Sequence, residues 1–516
     1  MARDKRRTGR LTYARMASQG AFLILFLYLF VETQSKGEDT LGPPVRLFLD
    51  FDPLILLTTL LSSHAAPVAF YMSVALVLVT LVLGRVFCGW ACPLGTLNNI
   101  TASLRKRTSS HDWHRLKYLI LVFLLASSFF TLQLAGLMDP MSLLIRSLAL
   151  SIYPALNQAA SSASLVLYEH GPAPSFTDAA YVWLKGLVLP FNEPHYSQAL
   201  LLGSLFLLVI GLNLHERRLW CRHLCPLGAL LGLLSRHSLL RRSVSEGCTG
   251  CGACTTLCQG AAAPDRKELW KSEECYYCMN CDDACPEGAV SFGFSGSRRQ
   301  AALDLGRRRV IGAALAGAAA VPLMRVSGAA ATVDPLLVRP PGALGEMDFL
   351  SRCVRCGECM KVCITGGLQP AFLEAGPEGL WTPVLVPRMG YCEYNCTLCG
   401  QVCPTGAIKR LSRNEKAKVH IGTAMIDKGR CLPWAHGRPC IVCEEMCPTP
   451  KKAIWFQEAD VKLRNGRKVR LKQPVVDLEL CIGCGICEAK CPVVDRPAIY
   501  VTCSGESRSD NNRILL

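Results

Sequence analysis

The chain is poor in histidine, with 10 among 516 residues, and no C-x-x-C-H string occurs in it. That removes covalently attached haem of the c type. No long apolar segment carries the facing histidine pairs that would grip a b-type haem. No Gly-rich strand-to-helix turn or nucleophile constellation stands out for a nicotinamide, a flavin or acyl transfer. Acidic residues are in deficit as well: 40 Asp and Glu stand against 56 Lys and Arg, a formal net charge of +16. Such a balance suits nucleic acid or membrane flanks. The basic residues crowd beside apolar segments, at Arg3 to Arg10, Arg105 to Lys117 and Arg217 to Arg242, so nucleic acid is discounted as a partner.

Cysteine is what the chain has in excess. There are 29, in a sequence that is 50% hydrophobic with a mean hydropathy of +0.26. Twenty-four of them fall into six groups of four: Cys248, Cys251, Cys254 and Cys258; Cys275, Cys278, Cys281 and Cys285; Cys353, Cys356, Cys359 and Cys363; Cys392, Cys396, Cys399 and Cys403; Cys431, Cys440, Cys443 and Cys447; Cys481, Cys484, Cys487 and Cys491. Disulfide scaffolds belong to short secreted chains and do not predict groups at fixed spacing. Structural zinc takes two separated pairs. Four groups here follow C-x2-C-x2-C-x3-C, the run known for [4Fe-4S] ligation, in which the fourth cysteine serves the neighbouring cluster. The fourth and fifth groups in that order widen only the first gap, to x3 and x8.

On this pattern six [4Fe-4S] clusters are expected. One near the middle of the chain would take Cys248, Cys251, Cys254 and Cys285, and its neighbour Cys275, Cys278, Cys281 and Cys258. Carriers of single electrons with no evident substrate pocket point to relay rather than bond-making chemistry.

Four charge-free runs, Met16 to Val31, Ala65 to Gly84, Tyr118 to Leu137 and Tyr196 to Leu214, approach the roughly 20 residues of a membrane crossing. The first resembles a signal peptide, but it lacks a convincing cleavage site and is read as an uncleaved helix. The basic flanks place both ends of the four-helix unit in the cytoplasm and the loops Glu32 to Ala65 and Met138 to Ser197 on the other side. The unit reads as duplicated. Asp52-Pro is echoed by Asp139-Pro, and Arg85-Val-Phe-Cys-Gly-Trp-Ala-Cys-Pro-Leu-Gly by Arg218-Leu-Trp-Cys-Arg-His-Leu-Cys-Pro-Leu-Gly. Asp52 and Asp139 suit N-caps with Pro in the first turn.

Cys88, Cys92, Cys221 and Cys225, from the two C-x3-C-P copies, could complete a further cluster or metal site. Small buried helix-end cysteines are the alternative. His64 and His195 fall near the outer ends of spans, where a quinone head group could dock. Cys503 stands alone.

Arg307 to Arg309 precede an Ala-rich segment that resembles an internal twin-arginine export signal, with Ala329 to Ala331 as a candidate cleavage site. Val310 to Met324 would be a short fifth crossing. The expected fold class is a membrane α-helical bundle of four spans, or five, with α+β bacterial-ferredoxin-like [4Fe-4S] domains. Its divisions are residues 1–240 (membrane domain), 241–296 (cytoplasmic two-cluster domain), 297–340 (signal and linker), 341–503 (periplasmic four-cluster domain) and a tail at 504–516.

With these residues in hand, Arg3 to Phe294 resembles the NapH and MauN type of membrane ferredoxin, through its spans, its C-x3-C-P-L-G repeats and its paired motifs. Arg307 to Thr502 resembles the NapG and MauM type of exported four-cluster ferredoxin, through the arginine signal and the run Gly390-Tyr-Cys-Glu-Tyr-Asn-Cys-Thr-Leu-Cys-Gly-Gln-Val-Cys-Pro-Thr-Gly-Ala-Ile. The resemblance implies a fused electron carrier of the bacterial inner membrane, a component of quinol dehydrogenase type. It would link the quinone pool to a periplasmic cytochrome or reductase within a multi-subunit complex. The alternative it leaves is an electron donor for maturation of a periplasmic metalloenzyme. By analogy with four-cluster ferredoxin subunits, it also pairs the first outer motif with the fourth and the second with the third, with simple neighbours as the other arrangement.

Overall fold

The computed structural model describes residues 9–35, 39–42, 44–64, 70–104, 113–170, 174–190, 194–262, 270–294, 303, 305–325, 334–462 and 468–509. Residues Arg3 to Arg7 of the amino-terminal basic run, most of the 105–117 basic loop and the candidate cleavage site Ala329 to Ala331 lie outside these. The chain forms two compact units. One comprises Met1–Glu32, Val45–Ser147 and Leu201–Val321; the other comprises Thr33–Pro44, Leu148–Leu200 and Pro322–Leu516.

In the first unit, Gly9–Glu32 is a 24-residue helix. Within it Leu11–Glu32 is, among the described residues, the one segment long and apolar enough to cross a membrane. Among the described residues the other three expected spans hold helices of 14, 15 and 13 residues, Phe70–Leu83, Arg115–Phe129 and Ala199–Gly211; residues 65–69, where the second expected span begins, lie outside them. Within the described residues, helix length alone therefore supports one crossing. The expected run Tyr118 to Leu137 stops at Phe129. Thr131 takes a left-handed conformation, φ 67°, and Leu132 N–H turns back to Ser127 O. A β-branched residue there marks an imposed turn.

The duplication is visible in the backbone. Asp52 caps Pro53–Ser63, its Oδ1 accepting from Leu54 N at 2.8 Å and Ile55 N at 3.3 Å. Asp139 does the same for Pro140–Ser147, its Oδ2 accepting from Met141 N at 3.0 Å and Ser142 N at 2.8 Å. Each C-x3-C-P copy forms a π-helical turn, Phe87–Ala91 and Trp220–Leu224, and then starts a helix, Pro93–Ser103 and Pro226–Ser235. In both, the second cysteine is the N-cap and proline occupies the first turn, where its missing N–H is not needed. The cysteine-rich segment closes with strand Arg241–Val244 antiparallel to Val290–Gly293.

Among the described residues, the second unit contains three antiparallel strand pairs. Leu368–Pro370 pairs with Pro383–Leu385, Thr423–Ile426 with Ile499–Thr502, and the nine-residue strands Ile454–Lys462 and Lys468–Val476 with each other. A helical pair, Tyr153–His170 and Pro174–Leu187, belongs to this unit as well.

Candidate metal centres

Four of the six cysteine loops share one backbone device. Between the first and third cysteines lie two residues of left-handed conformation, at matching places: Gly250 and Gly252, Tyr277 and Met279, Arg355 and Gly357, Gly483 and Gly485. This winding curls the loop so that its sulfurs face one side. Glycine adopts it without strain, whereas Tyr277, Met279 and Arg355 hold it against their side chains' preference. The two loops with widened first gaps lack the pair.

Each set of three sulfurs is completed by the trailing cysteine of a neighbouring motif. The Cys275 thiol is pushed up by burial and then by Cys258, Cys278 and Cys281. One cavity is lined by Cys248, Cys251, Cys254 and Cys285. These are the two sets expected for the middle of the chain.

In the second unit, burial raises Cys356, and Cys353 and Cys403 add to it. Cys363, Cys392, Cys396 and Cys399 line one cavity, and Cys431, Cys440, Cys443 and Cys491 another. Cys484, raised to about 12 by burial, faces Cys481 and Cys447. The first outer motif thus pairs with the second and the third with the fourth, which corrects the pairing implied by analogy. The reason is local. The hairpin Leu368–Pro370 with Pro383–Leu385 returns the chain from Cys363 to Cys392, and the long hairpin returns it from Cys447 to Cys481, with Asp477 N–H on Ala453 O at 2.7 Å.

The four outer sets are also neighbours in succession. Cys359 feels Cys399 of the next set, Cys484 feels Cys392, and Cys487 feels Cys443. Cys392 N–H donates to Cys484 O at 2.8 Å where the two modules meet.

The donors suit a [4Fe-4S] cubane. Buried thiols crowded in fours are costly to ionise unless iron neutralises them. Amide N–H groups point at the sulfurs: Ala262 to Cys258 and Ala289 to Cys285 at 3.2 Å, Ile408 to Cys403 and Ala424 to Cys481 at 3.4 Å. Such bonds tune a cluster's potential. Among the described residues no three Cys, His, Asp or Glu side chains meet as closely as a single metal ion requires.

Cys88, Cys92, Cys221 and Cys225 are brought together. Burial raises Cys92, with Cys221 and Cys88 beside it; Cys225 is raised likewise, with Cys221, Cys88 and Cys92 nearby. Cys92 and Cys225 Sγ accept from Gly95 and Gly228 N–H at 3.3 and 3.2 Å, and Asn98 Nδ2 of the first copy donates to Cys221 Sγ of the second at 3.3 Å.

Arg85 and Arg218, at the same place in each copy, are fully buried. They clasp the ring of Tyr276 at 4.8 and 4.9 Å, and Tyr276 follows Cys275 directly. Trp90 Nε1 donates to Tyr277 O at 2.9 Å, and Gly89 lies so close that a Cβ there would meet Tyr276 O at 2.2 Å. The Cys275 to Cys281 loop is therefore seated on the repeated C-x3-C-P turns. Beside it, burial would raise Glu274, but Lys117 and Arg85 outweigh it and hold the carboxylate down.

Sequence reasoning missed Tyr276, Glu274 and the Asn98 contact. The matching arginines were the one signal that could have led to this buried layer. His64 caps the helix Pro53–Ser63 in left-handed conformation, and His195 lines a large cavity of the second unit. Cys503 is buried, its Sγ 3.6 Å from Asp334 O.

These features define an iron-sulfur protein of the ferredoxin type. Two family models, each described as a 4Fe-4S binding domain, match residues 65–110 with 197–245 and residues 474–494. The methylamine utilization ferredoxin-type protein MauM of Paracoccus denitrificans is 36% identical over 208 residues, 40% of this chain and 87% of the relative. MauM of Methylorubrum extorquens is 38% identical over 176 residues, 33% of this chain and 75% of the relative. The ferredoxin-type protein NapG of Escherichia coli is 37% identical over 166 residues, 32% of this chain and 69% of the relative. The chain belongs, over that part of its length, to the MauM and NapG family of ferredoxin-type electron-transfer proteins. No solved structure matches it.

Proposed function

We propose that this chain is a membrane-bound electron carrier that passes electrons between the quinone pool and a periplasmic redox partner, as part of a multi-subunit complex. The observation that carries the reading is the succession of four sulfur sets in the second unit, each beside the next. A succession of one-electron sites suits conduction.

In this reading six [4Fe-4S] clusters are held by the six sets described. The part up to Phe294 acts as a NapH/MauN-type membrane module with four crossings. The arginines at Arg307 to Arg309 direct the four-cluster part outward. Cys88, Cys92, Cys221 and Cys225 hold a further centre. A cubane with four thiolates is an anion, and the buried Arg85 and Arg218 supply compensating charge next to it. Serine at both Cys88 and Cys221 should lower the iron content and change the spectrum; unchanged iron would exclude that centre.

The reading as a whole is tested by adding a reduced menaquinol analogue to the full chain in liposomes. Bleaching of the cluster absorbance is expected. No bleaching with any quinol, from a protein that dithionite still reduces, would refute it.

A further inference from the structure

The second unit contains a cavity of about 880 Å³ that the relay itself does not use. Two of its walls are sulfur ligand candidates, Cys363 and Cys396, both of the set completed by Cys392 and Cys399. A molecule in this space would touch the second of the four centres in the succession directly.

The rest of the lining says what kind of molecule fits. Leu189, Pro190, Val362 and Leu398 make it apolar, while Lys185, Lys361, Arg388 and Arg413 stand on its walls with Asp39 and Glu393. Asp39 is engaged, accepting from Thr397 N–H at 2.6 Å, Thr397 Oγ1 at 3.0 Å and Arg413 Nε at 3.2 Å, and Lys361 Nζ donates to Thr33 O at 2.6 Å. Apolar walls with a few oriented donors are the mark of a small-molecule site, and the volume lies in the usual range. Lys185 and the remaining N–H groups of Arg388 favour a guest bearing oxygen acceptors.

The approach to the cavity is greasy. The helix Pro174–Leu187, which contributes Lys185 and Gly186 to the wall, exposes Val182, Trp183 and Leu184. Its neighbour Tyr153–His170 exposes Leu165 to Tyr168. Trp and Tyr beside aliphatic side chains on such helices suit the interfacial zone of a bilayer.

We infer that this cavity receives the head group of a lipid-soluble hydroquinone, its tail leaving along the apolar face of the two helices. The inference rests on the quinol reading above and locates its site. Oxidation of the hydroquinone breaks two O–H bonds and forms two carbonyls. Its two electrons go one each to the adjacent Cys363/Cys392/Cys396/Cys399 and Cys353/Cys356/Cys359/Cys403 centres, and its two protons leave to water through the open mouth.

Gly186 supplies the test. A Cβ there meets nothing within 4 Å, so Gly186→Trp should fill the cavity without disturbing the fold. Met389→Trp, at a half-exposed lining residue, is the second variant. The full chain in liposomes is assayed with menaquinol analogue and, separately, photolabelled with an azidoquinone and mapped by mass spectrometry.

In the wild type, label is expected within residues 185–190 and 361–366. Both variants should lose labelling and quinol-driven bleaching while keeping iron content and full reduction by dithionite. Wild-type rates in both variants, or label confined to another segment, would overturn this location and leave the quinol reading standing. A wild type that no quinol reduces would remove the reading and this inference together.

Discussion

Cys403→Ser is expected to alter the centre built on Cys353, Cys356 and Cys359, and to leave the one built on Cys392, Cys396 and Cys399 intact. Cys363→Ser should do the reverse. Resolving the individual paramagnetic signals of reduced protein in each variant checks both, and loss of the centre on the substituted cysteine's own motif would contradict the pairing. Charge makes a second prediction at this scale. Burial opposes ionisation of Glu346, yet Arg339 and Arg508 overcome it and hold the carboxylate at about 2, below its ordinary 4.5. A depressed carboxylate stabilises the fold at all pH above its unfolded value, and the contribution disappears as pH falls through about 2. Glu346→Gln should therefore cost the second unit about 1–3 kcal/mol at neutral pH, read as a lower denaturant midpoint, and almost nothing near pH 2. His114 runs through a different window. Burial holds it at about 4, down from 6.5, so it folds neutral, and the first unit should lose stability as pH falls from about 6.5 toward 4.

At the scale of elements, the contact of the C-x3-C-P turn with the cluster loop is tight enough to test with one methyl group. Gly89→Ala would push a Cβ against the Tyr276 carbonyl. Relief requires backbone movement, at a cost of about 1–3 kcal/mol, and the Cys275 to Cys281 centre should bind iron less firmly on chelator challenge. Unchanged iron retention would mean that the loop is not seated there. The cysteine spacing announced these loops, and Asp52 and Asp139 announced their caps, because both depend on neighbours in the chain. The partner of each trailing cysteine in the second unit did not show, since it depends on where a hairpin returns. Helix ends were misread for a similar reason: an apolar run extends past Phe129, but the turn at Thr131 is set by hydrogen bonds that composition does not record. Tyr276 read as an ordinary loop residue, and only the fold placed it between Arg85 and Arg218.

For the whole molecule, the proposed sidedness predicts that tags at Met1 and after Phe294 are reached by protease only from the cytoplasmic face, and a tag at Leu516 only from the outer face. Beneath sidedness and quinol lies the claim that the cysteine sets hold cubanes. Iron, acid-labile sulfide and zinc measured together on anaerobically purified full-length protein test this most directly. Six clusters require about 24 iron and about 24 sulfide per chain, with more if the C-x3-C-P thiols are filled. Zinc at about one per four cysteines, with no inorganic sulfide, would contradict the account.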